Sequence, residues 1–519
     1  MSRPILSCMC IPLLVALSAC GDPGETGEAD PSTSTNPSTP TTGEQISSEG
    51  TGAASEAGTS ADETTTAADS SSGATTDPDT GSSGGDPPAD AWLRSFGAPD
   101  TERPGGIGFT PGGELWVAGD VIGAFDLGTG PLSGEGSGIY LARLSAGGET
   151  LHAQSLYPAS GEPTFTSVTG LAVDGTGAVI VTGWLEGSYE IGGEMLAADE
   201  IDVFVGKWDV DGAPRWGRKF GEVDWQVGYG VAVGPDDDVW VAGAALAPFM
   251  VGDLELTGAA STGMFLIRLA SDGTPEYGRW WGEMGDQEAR GVAICDDGSV
   301  ALAGFITAPL MFGAEEVMAV GDKDMFVAHL DAAGEPQWIR GLGGASTDYA
   351  SHVQCGGDVL FAGAVTGAAT IGALELTPAG DADAVLGQFA ADGTLTWAAG
   401  VTGPDDQSPG GIGFHAPNNE AFVVLTSTGM TTLGDQALPG AGDRDVVLAR
   451  YALPATSPSE TVLLGDASRE IAGPLIVHAS GYAALAASHA GALAWDGLRP
   501  VQATGTEDLA VLRWSPTPL

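Results

Sequence analysis

Acidic side chains recur at one point of a long internal repeat, where they could hold a hard cation. Six of the seven copies carry an aspartate shortly before a Gly-Val type strand, at Asp100, Asp224, Asp286, Asp348, Asp406 (beside Asp405) and Asp466. Ca²⁺ takes roughly six to eight oxygen ligands, so a ring of these carboxylates around a central channel predicts a Ca²⁺ site. The alternative is that each Asp accepts backbone N–H groups within its own turn.

Two sets of aromatic residues suggest ligand stacking or packing. Trp225 and Tyr349 fall beside the repeated aspartates and outside the repeating pattern, so they are the candidates for stacking on a ligand. A second set keeps a nearly fixed place in the repeat, which favours packing between repeats over a sugar-binding platform. This second set consists of Trp216, Trp280, Trp338 and Trp397.

Cysteine and histidine offer little further chemistry. Cys295 and Cys355 occupy nearly equivalent places in adjacent repeats, and a disulfide is allowed outside the cytoplasm. Two buried free thiols remain the alternative, since adjacent blades diverge and a bridge needs Cα atoms within about 7 Å. The six histidines form no metal or triad motif, and no phosphate-binding loop or dinucleotide fingerprint occurs.

The elements that position these residues are short strands with a period near 61 residues. An Ala/Thr-Gly strand recurs at Gly119, Gly183, Gly243, Gly304 and Gly363, with weaker copies ending at Thr426 and Ala487. A second strand of the type DVFVGKW follows in every copy, and then an Asp-Gly turn and an aromatic strand. Four strands per repeat and no convincing helix predict an all-β fold, a single seven-bladed β-propeller.

The two ends of the repeat array are out of phase. The aromatic strand appears first at residues 92–96, before any complete repeat, whereas the last repeat stops just after Trp514 without one. We therefore expect residues 92–96 to pair onto the last blade and close the ring, which also covers two exposed strand edges.

The repeat resembles the SBBP β-propeller repeat of bacterial extracellular proteins over roughly residues 91–515. The resemblance rests on the Ala/Thr-Gly strand, the Val251-Gly252 and Ile371-Gly372 turns, the Asp-x-Phe-Val strand and the Asp-Gly-x-x-x-Trp step. It implies the fold and an extracellular setting, and it implies no defined activity. The Gly-x-x-x-Trp step also partly resembles the docking motif of quinoprotein dehydrogenases, but the Ala-x-Asp part of that motif is not kept.

Two further segments precede the repeats. Residues 1–20 combine Arg3, an apolar stretch and Leu17-Ser18-Ala19-Cys20, which resembles the lipobox of bacterial lipoproteins and implies lipid attachment at Cys20. In lipoproteins an Asp directly after the cysteine often signals retention in the inner membrane. Gly21 stands there in this chain, so the resemblance implies the outer membrane. Residues 21–90 are rich in Ser, Thr, Gly and Pro with 14 acidic residues, which predicts a disordered tether. Residues 91–519 then form the propeller.

Charge and motif content limit the classes of function that the sequence allows. The net charge of −51 argues against nucleic acid and anionic membranes as partners, because both recruit clustered Lys and Arg. We expect a lipid-anchored, non-catalytic module at the cell surface that binds or adheres to an envelope or extracellular polysaccharide or protein, with no cofactor beyond Ca²⁺. The alternatives are a propeller enzyme, such as a quinoprotein-like dehydrogenase or a lyase or hydrolase, and a purely structural envelope protein. A propeller lyase or hydrolase would usually show His or Arg converging in the loops, whereas Arg103, Arg290 and Arg469 lie near that face but are scattered.

Overall fold

The computed structural model describes residues 91–97, 101–132, 134, 136–159, 165–258, 261–495 and 498–516. Cys20, the segments 1–20 and 21–90, and Asp100 lie outside the described residues. Among the residues that are described, no helix combines the length and the apolar character needed to cross a bilayer.

Seven antiparallel four-stranded sheets form the blades of a β-propeller, as the sequence predicted. Blades 1 to 3 consist of Glu102–Phe109, Leu115–Ile122, Ser137–Leu144 and Thr150–Leu156; Thr166–Val173, Val179–Ile191, Glu194–Trp208 and Pro214–Phe220; and Gln226–Val233, Val239–Ala245, Gly263–Leu269 and Pro275–Trp281. Blades 4 and 5 consist of Gln287–Ile294, Val300–Ile306, Asp324–Leu330 and Pro336–Gly344; and Asp348–Cys355, Val359–Val365, Asp383–Phe389 and Leu395–Thr402. Blades 6 and 7 consist of Gln407–His415, Glu420–Ser427, Asp445–Ala452 and Glu460–Leu464; and Glu470–Val477, Ala483–His489, Asp508–Trp514 and Trp92–Phe96.

The ring closes through the first strand, which confirms the prediction from the phase of the repeats. Trp92–Phe96 pairs antiparallel with Asp508–Trp514, and Trp92 lies opposite Arg513. The N-terminal strand therefore supplies the outer strand of blade 7, and blades 7 and 1 share a common core.

Small elements decorate the connections between the second and third strands of the blades. These are two-stranded hairpins. A 3-10 helix, Ala416–Asn418, lies instead between the first and second strands of blade 6. The hairpins are Phe125–Asp126 with Pro131–Leu132, Phe249–Val251 with Leu254–Leu256, Leu310–Phe312 with Glu315–Val317, Ala369–Ile371 with Leu374–Leu376, Thr431–Leu433 with Gln436–Leu438, and Ala492–Leu493 with Val501–Gln502.

The hydrophobic core lies between the blades. Each blade alternates apolar side chains to both of its faces, so each junction of two blades buries its own cluster. Trp240 of blade 3, for example, packs with Leu302 and Phe326 of blade 4. Burial on both faces explains why the second and third strands are almost wholly apolar, since every side chain on them meets a neighbouring blade.

The repeated aromatic residue of the outer strand links each blade to the next. The indole nitrogen of Trp216 donates to the carbonyl of Ser271 at 3.0 Å, and that of Trp338 donates to the carbonyl of Ala391 at 2.9 Å. In blade 3 the matching residue is Tyr277, whose hydroxyl donates to Gly334, so Trp280 lies outside this pattern. These buried rings join blades, as expected for packing residues.

Candidate functional site

Two kinds of loop lie side by side on one face of the propeller, which we call the Asp face. It consists of the loops that join an outer strand to the next inner strand, such as 221–225 and 282–286, and of the loops that join second and third strands, such as 246–262 and 307–323. Backbone hydrogen bonds pair the two kinds, for example Leu246 N–H to the Trp225 carbonyl at 3.0 Å. Loops from all seven blades can therefore contribute to one binding surface.

The predicted aspartates hydrogen-bond mostly to the neighbouring loop of the Asp face, and in part to their own loop. Asp286 accepts a hydrogen bond from the Ser261 hydroxyl at 2.8 Å, and Asp406 accepts one from the Ala382 amide at 3.1 Å. Asp466 accepts the amides of Ser468 and Ala492, at 2.6 and 2.9 Å.

The remaining ring members do not complete a metal site. Asp348 accepts the Gly344 amide at 2.6 Å, and Asp224 is exposed with a φ of 57°. In the described part of the chain, no three His, Cys, Asp or Glu side chains converge as metal ligands. Asp466 and Asp348 accept backbone amides within their own turns, as the alternative expected, whereas Asp286 and Asp406 accept hydrogen bonds from a neighbouring loop. Asp100 lies outside the described residues, and the Ca²⁺ ring stays a prediction.

The two aromatic candidates lie in different environments. Trp225 is half-buried on the Asp face. Tyr349 is only 7% exposed and packs with Phe305 and Ala364 in the interior. A ring this covered offers no free face to a ligand, so in this structure Tyr349 acts as a packing residue instead of the predicted stacking platform.

Cys295 and Cys355 are joined in a disulfide on the opposite face of the propeller. They lie at the ends of the inner strands of blades 4 and 5, and their Cα atoms are 4.6 Å apart. The expectation that diverging blades would separate them does not hold at this radius, because the inner strands converge around the axis and contact one another.

A bulge in each inner strand decides which side chains approach the axis. The strand pairing shifts by one residue at the same point of every blade, for example between Gly228 and Gly230 and between Ala289 and Gly291. The extra residue in these two strands is Tyr229 or Arg290, and both are only partly covered by neighbouring blades. Such bulges redirect a side chain out of the regular alternation.

Arg290 occupies the centre of a cluster drawn from three blades. Its guanidinium carbon lies 5.7 Å from the ring centre of Tyr229 in blade 3, 5.1 Å from Phe305 in blade 4 and 5.7 Å from Tyr349 in blade 5. Its Nε donates to Glu288 at 3.0 Å. A cation among aromatic faces is stabilised by their quadrupoles, and more so when it is shielded from water.

The electrostatics of this axial cluster are those of a buried ion network. Burial raises the pKa of Tyr229, and the nearby Glu288 carboxylate raises it further. Burial lowers the pKa of Lys323, whose ammonium lies 4.2 Å from the ring centre of Phe305. A phenol with a raised pKa is a poor base at neutral pH, so the cluster is suited to holding three blades together rather than to proton transfer.

The sequence reasoning did not identify Tyr229, Glu288 or Lys323 as site residues. The signal that could have found Tyr229 and Arg290 is their position directly before the glycine of the Gly-Val-Ala segment in two adjacent repeats. Residue type varies at that position while its neighbours repeat, as expected where a side chain leaves the shared core.

A shallow depression on the Asp face lies between the loops of blades 5 and 6. It is lined by Ala379, Gly380, Asp381, Pro404, Asp405, Asp406 and Thr428. Carboxylate, hydroxyl and backbone groups are the chemistry it offers, which would suit a cationic or polyhydroxyl ligand.

Large exposed apolar side chains are concentrated on the Asp face. Of the thirteen among the described residues, twelve lie in or beside its loops, and Leu151 lies near the opposite face. Ten of the twelve belong to the loops of blades 2 to 4: Phe165, Met195, Val223, Leu246, Met250, Leu254, Met284, Met311, Met318 and Val320. Scattered exposed apolar residues are ordinary, but a one-sided concentration marks an interaction surface.

Comparison with known proteins gives no family. No protein-family model matches the chain, so the resemblance to SBBP repeats stays a prediction. The regulatory protein FlaEY of Caulobacter vibrioides is 31% identical over 133 residues, which are 25% of this chain and 14% of that protein. The chain therefore matches only about a seventh of that relative's length.

Solved structures with a similar fold are distant in sequence. The β-propeller domain of Myceliophteria thermophila Cps50 (Swd1) has 10% identity and a TM-score of 0.40, covering 82% of this chain and all of that domain. The Dos1 propeller has 8% identity and a TM-score of 0.40, over 81% of this chain and 95% of that one. A variant of Synechocystis apocarotenoid oxygenase has 10% identity and a TM-score of 0.40, over 84% and 96%. The chain is thus a seven-bladed β-propeller by its own strand pairing.

Proposed function

We propose that this protein is a non-catalytic binding module, held at the bacterial cell envelope by a lipid on Cys20, and that the Asp face over blades 2 to 4 binds a protein partner. The observation that carries this proposal is the one-sided exposure of apolar side chains. Val320 is 77% exposed and Met284 is 65% exposed, and both lie on this face.

Methionine is well suited to such a surface. Of the ten methionines in the chain, six are among the exposed apolar residues of the Asp face. The unbranched thioether adapts to differently shaped partners and gains polarisable contacts when it is buried. Interface cores are enriched in Met and aromatic residues, whereas sugar sites need polar groups beside exposed rings.

Charge indicates what surrounds the apolar contact. Residues 91–519 contain 55 acidic and 17 basic residues, a net charge of −38. A partner with an apolar centre and a basic rim would complement this surface, and opposite potentials speed encounter in a salt-dependent way. The proposed partner is therefore a basic protein of the envelope or of the extracellular medium.

The proposal is tested by chemical cross-linking of the full chain in envelope preparations, comparing the wild type with Met284→Asp/Met318→Asp/Val320→Asp. We expect the cross-linked product to fall at least tenfold in the triple variant, because three charges would be buried in the contact. The control is Leu151→Asp, an exposed apolar position near the opposite face, which should leave the product unchanged.

Three outcomes would overturn the proposal. Equal cross-linking of the triple variant and the wild type would show that this surface is not the contact. Binding to a glycan panel that the triple variant retains would indicate a polysaccharide ligand instead. Reduction of a redox dye by the purified chain, together with visible absorption from a bound quinone, would indicate an enzyme.

A further inference from the structure

A recurring polar arrangement lies at the junctions between blades, below the Asp face. Three residues meet there: the first residue of a third strand, the glycine at the end of the outer strand, and the first residue of the next inner strand. At the junction of blades 2 and 3 these are Asp202, Gly221 and Gln226, and at the junction of blades 6 and 7 they are Asp445, Gly465 and Glu470. The positive φ values of the two glycines, 142° and 159°, are tolerated because glycine has no Cβ.

The junction of blades 2 and 3 contains its own cation. The Lys219 ammonium donates to Asp202 Oδ2 at 2.5 Å and to the carbonyl of Gly221 at 2.7 Å. The third polar residue there, Gln226, is neutral. One buried negative charge is thus balanced by one positive charge, as a buried ion requires.

The junction of blades 6 and 7 has more negative charge and no lysine in the same place. Strand register aligns Lys219 with Leu463, since Lys219 lies opposite Phe204 and Leu463 lies opposite Val447 at the matching step of the third strand. Glu470 replaces the neutral Gln226. Two carboxylates therefore meet where the other junction has one carboxylate and one ammonium.

Both carboxyl groups are fully buried and incompletely hydrogen-bonded. Asp445 and Glu470 are each 0% exposed. Asp445 Oδ2 accepts the amides of Ala441 and Gly442, but Asp445 Oδ1 and both carboxylate oxygens of Glu470 accept no hydrogen bond of normal geometry among the described residues. Leaving such atoms unpaired in the interior is costly, so they point to a ligand.

The open oxygens face a common space beside Gly465. A Cβ placed on this glycine would lie 2.3 Å from Asp445 Oδ1 and 2.9 Å from Glu470 Oε2, so these two oxygens lie within about 5.2 Å of each other. Burial raises the pKa of Glu470 to about 8, and the negative charges of Asp466 and Asp445 raise it further. Two buried carboxyl groups this close to each other need either a cation or a shared proton between them.

A third junction shows what a satisfied version looks like. Between blades 4 and 5, Asp324 and Asp348 meet at Gly343. Asp324 accepts the amides of Val320 and Gly321, and Asp348 accepts those of Gly344 and Thr366. A carboxylate pair alone is therefore not the signal. The signal at blades 6 and 7 is a pair whose inward oxygens are open.

We propose that Asp445, Glu470 and the carbonyl of Gly465 form a divalent-cation site at the junction of blades 6 and 7, in the place that the Lys219 ammonium takes between blades 2 and 3. Oxygen donors of this kind suit Ca²⁺, and two carboxylates balance its two charges. With two carboxylates and a backbone oxygen, the site differs from the predicted ring of loop aspartates and needs no third acidic side chain. It is also independent of the proposed binding function.

The experiment uses the full chain, treated with EGTA and then titrated with Ca²⁺ while thermal unfolding and calorimetric binding are followed. A ligand at a hundredfold excess over its dissociation constant should raise the Tm of the wild type by about 2–5 °C. Glu470→Gln should weaken Ca²⁺ binding at least tenfold and still fold, because Gln226, Gln287 and Gln407 occupy this position in three other blades.

A gain-of-function variant makes the test specific. Leu463→Lys places an ammonium where Lys219 lies in blade 2, so it should raise the Tm in EGTA and abolish the response to Ca²⁺. Asp406→Asn, at a loop aspartate of the predicted ring, is the matched control and should leave the Ca²⁺ response unchanged.

The proposal fails if Ca²⁺ neither binds the wild type nor shifts its Tm, or if Glu470→Gln responds as the wild type does. One contrary result would be informative. In this result the Tm of the wild type does not respond to Ca²⁺ but falls as the pH rises from 6 to 9, whereas the Tm of Glu470→Gln stays constant over this range. The two carboxyl groups would then share a proton instead of binding a cation.

Discussion

Trp92 lies opposite Arg513 where the strand Trp92–Phe96 pairs with the strand Asp508–Trp514, so the ring is closed by residues 421 positions apart in the chain. The Trp92 indole is buried in the core shared by blades 7 and 1, and its nitrogen donates to the Ala146 carbonyl at 2.8 Å. This one side chain therefore joins the last blade to the first.

Trp92→Ala should destabilise the protein by about 3–5 kcal/mol, because it removes a large buried ring and the hydrogen bond to Ala146. The measurement is the urea midpoint followed by circular dichroism. Leu151→Ala, at an exposed position on the neighbouring outer strand, should change stability by less than about 0.5 kcal/mol. An unchanged midpoint in Trp92→Ala would mean that the first strand contributes little to closure.

Reduction of the Cys295–Cys355 disulfide should cost about 2–4 kcal/mol. The bond joins residues 60 positions apart, and cross-linking a loop of that size removes much of the entropy of the unfolded chain. Urea unfolding with and without reductant measures the loss, and non-reducing peptide mass mapping checks the bond itself. The Cys295→Ser/Cys355→Ser variant should have the same free energy of unfolding as the reduced wild type, and reductant should not change it. A wild type that is equally stable under both conditions would contradict the prediction.

Arg290→Met should destabilise the protein by about 3–5 kcal/mol, because it leaves the Glu288 carboxylate buried without its ion-pair partner. The double variant Glu288→Gln/Arg290→Met should recover a large part of this loss, since both members of the ion pair are then removed together. A double-mutant cycle in urea measures the coupling. If the two substitutions were simply additive, the pair would not be a coupled buried unit.

Asp120→Asn should change the pH dependence of stability. Burial raises the pKa of the Asp120 carboxyl from 3.8 to about 7, against the hydrogen bonds it accepts from the Val168 amide and the Ser167 hydroxyl. A raised folded-state pKa means that the folded protein holds the proton more tightly than the unfolded chain does. The stability that results is complete below pH 3.8 and is lost as the pH rises through about 7.

The variant carries no such proton, so its stability relative to the wild type should be higher at pH 8 than at pH 5, by about 2–3 kcal/mol. Unfolding in urea at the two pH values measures this difference. Comparing the two proteins at each pH cancels the titration of all other groups. An equal difference at pH 5 and pH 8 would show that Asp120 does not titrate in this range.

The sequence predicted the packing role of most of the repeated aromatic residues. Trp216, Trp338 and Trp397 were assigned to packing between blades because they recur at one step, and all three are buried there. Prediction was weaker for residues that occur once. Tyr349 was predicted to stack on a ligand because it lies beside a repeated aspartate and outside the repeating pattern, yet its ring turns inward beside Phe305. A loop position does not reveal which way a side chain turns.

The strand pattern and its period by themselves determined the fold class, the number of blades and the way the ring closes. This was possible because the strands of a blade are close together in the sequence, and the same sequence pattern repeats seven times. Only the tertiary structure decided which side chains meet between blades: the Arg290 cluster, the disulfide and the open carboxylates of Asp445 and Glu470. Those groups belong to strands tens of residues apart, and whether they touch depends on bulges, on the converging inner strands and on the partners that neighbouring blades supply.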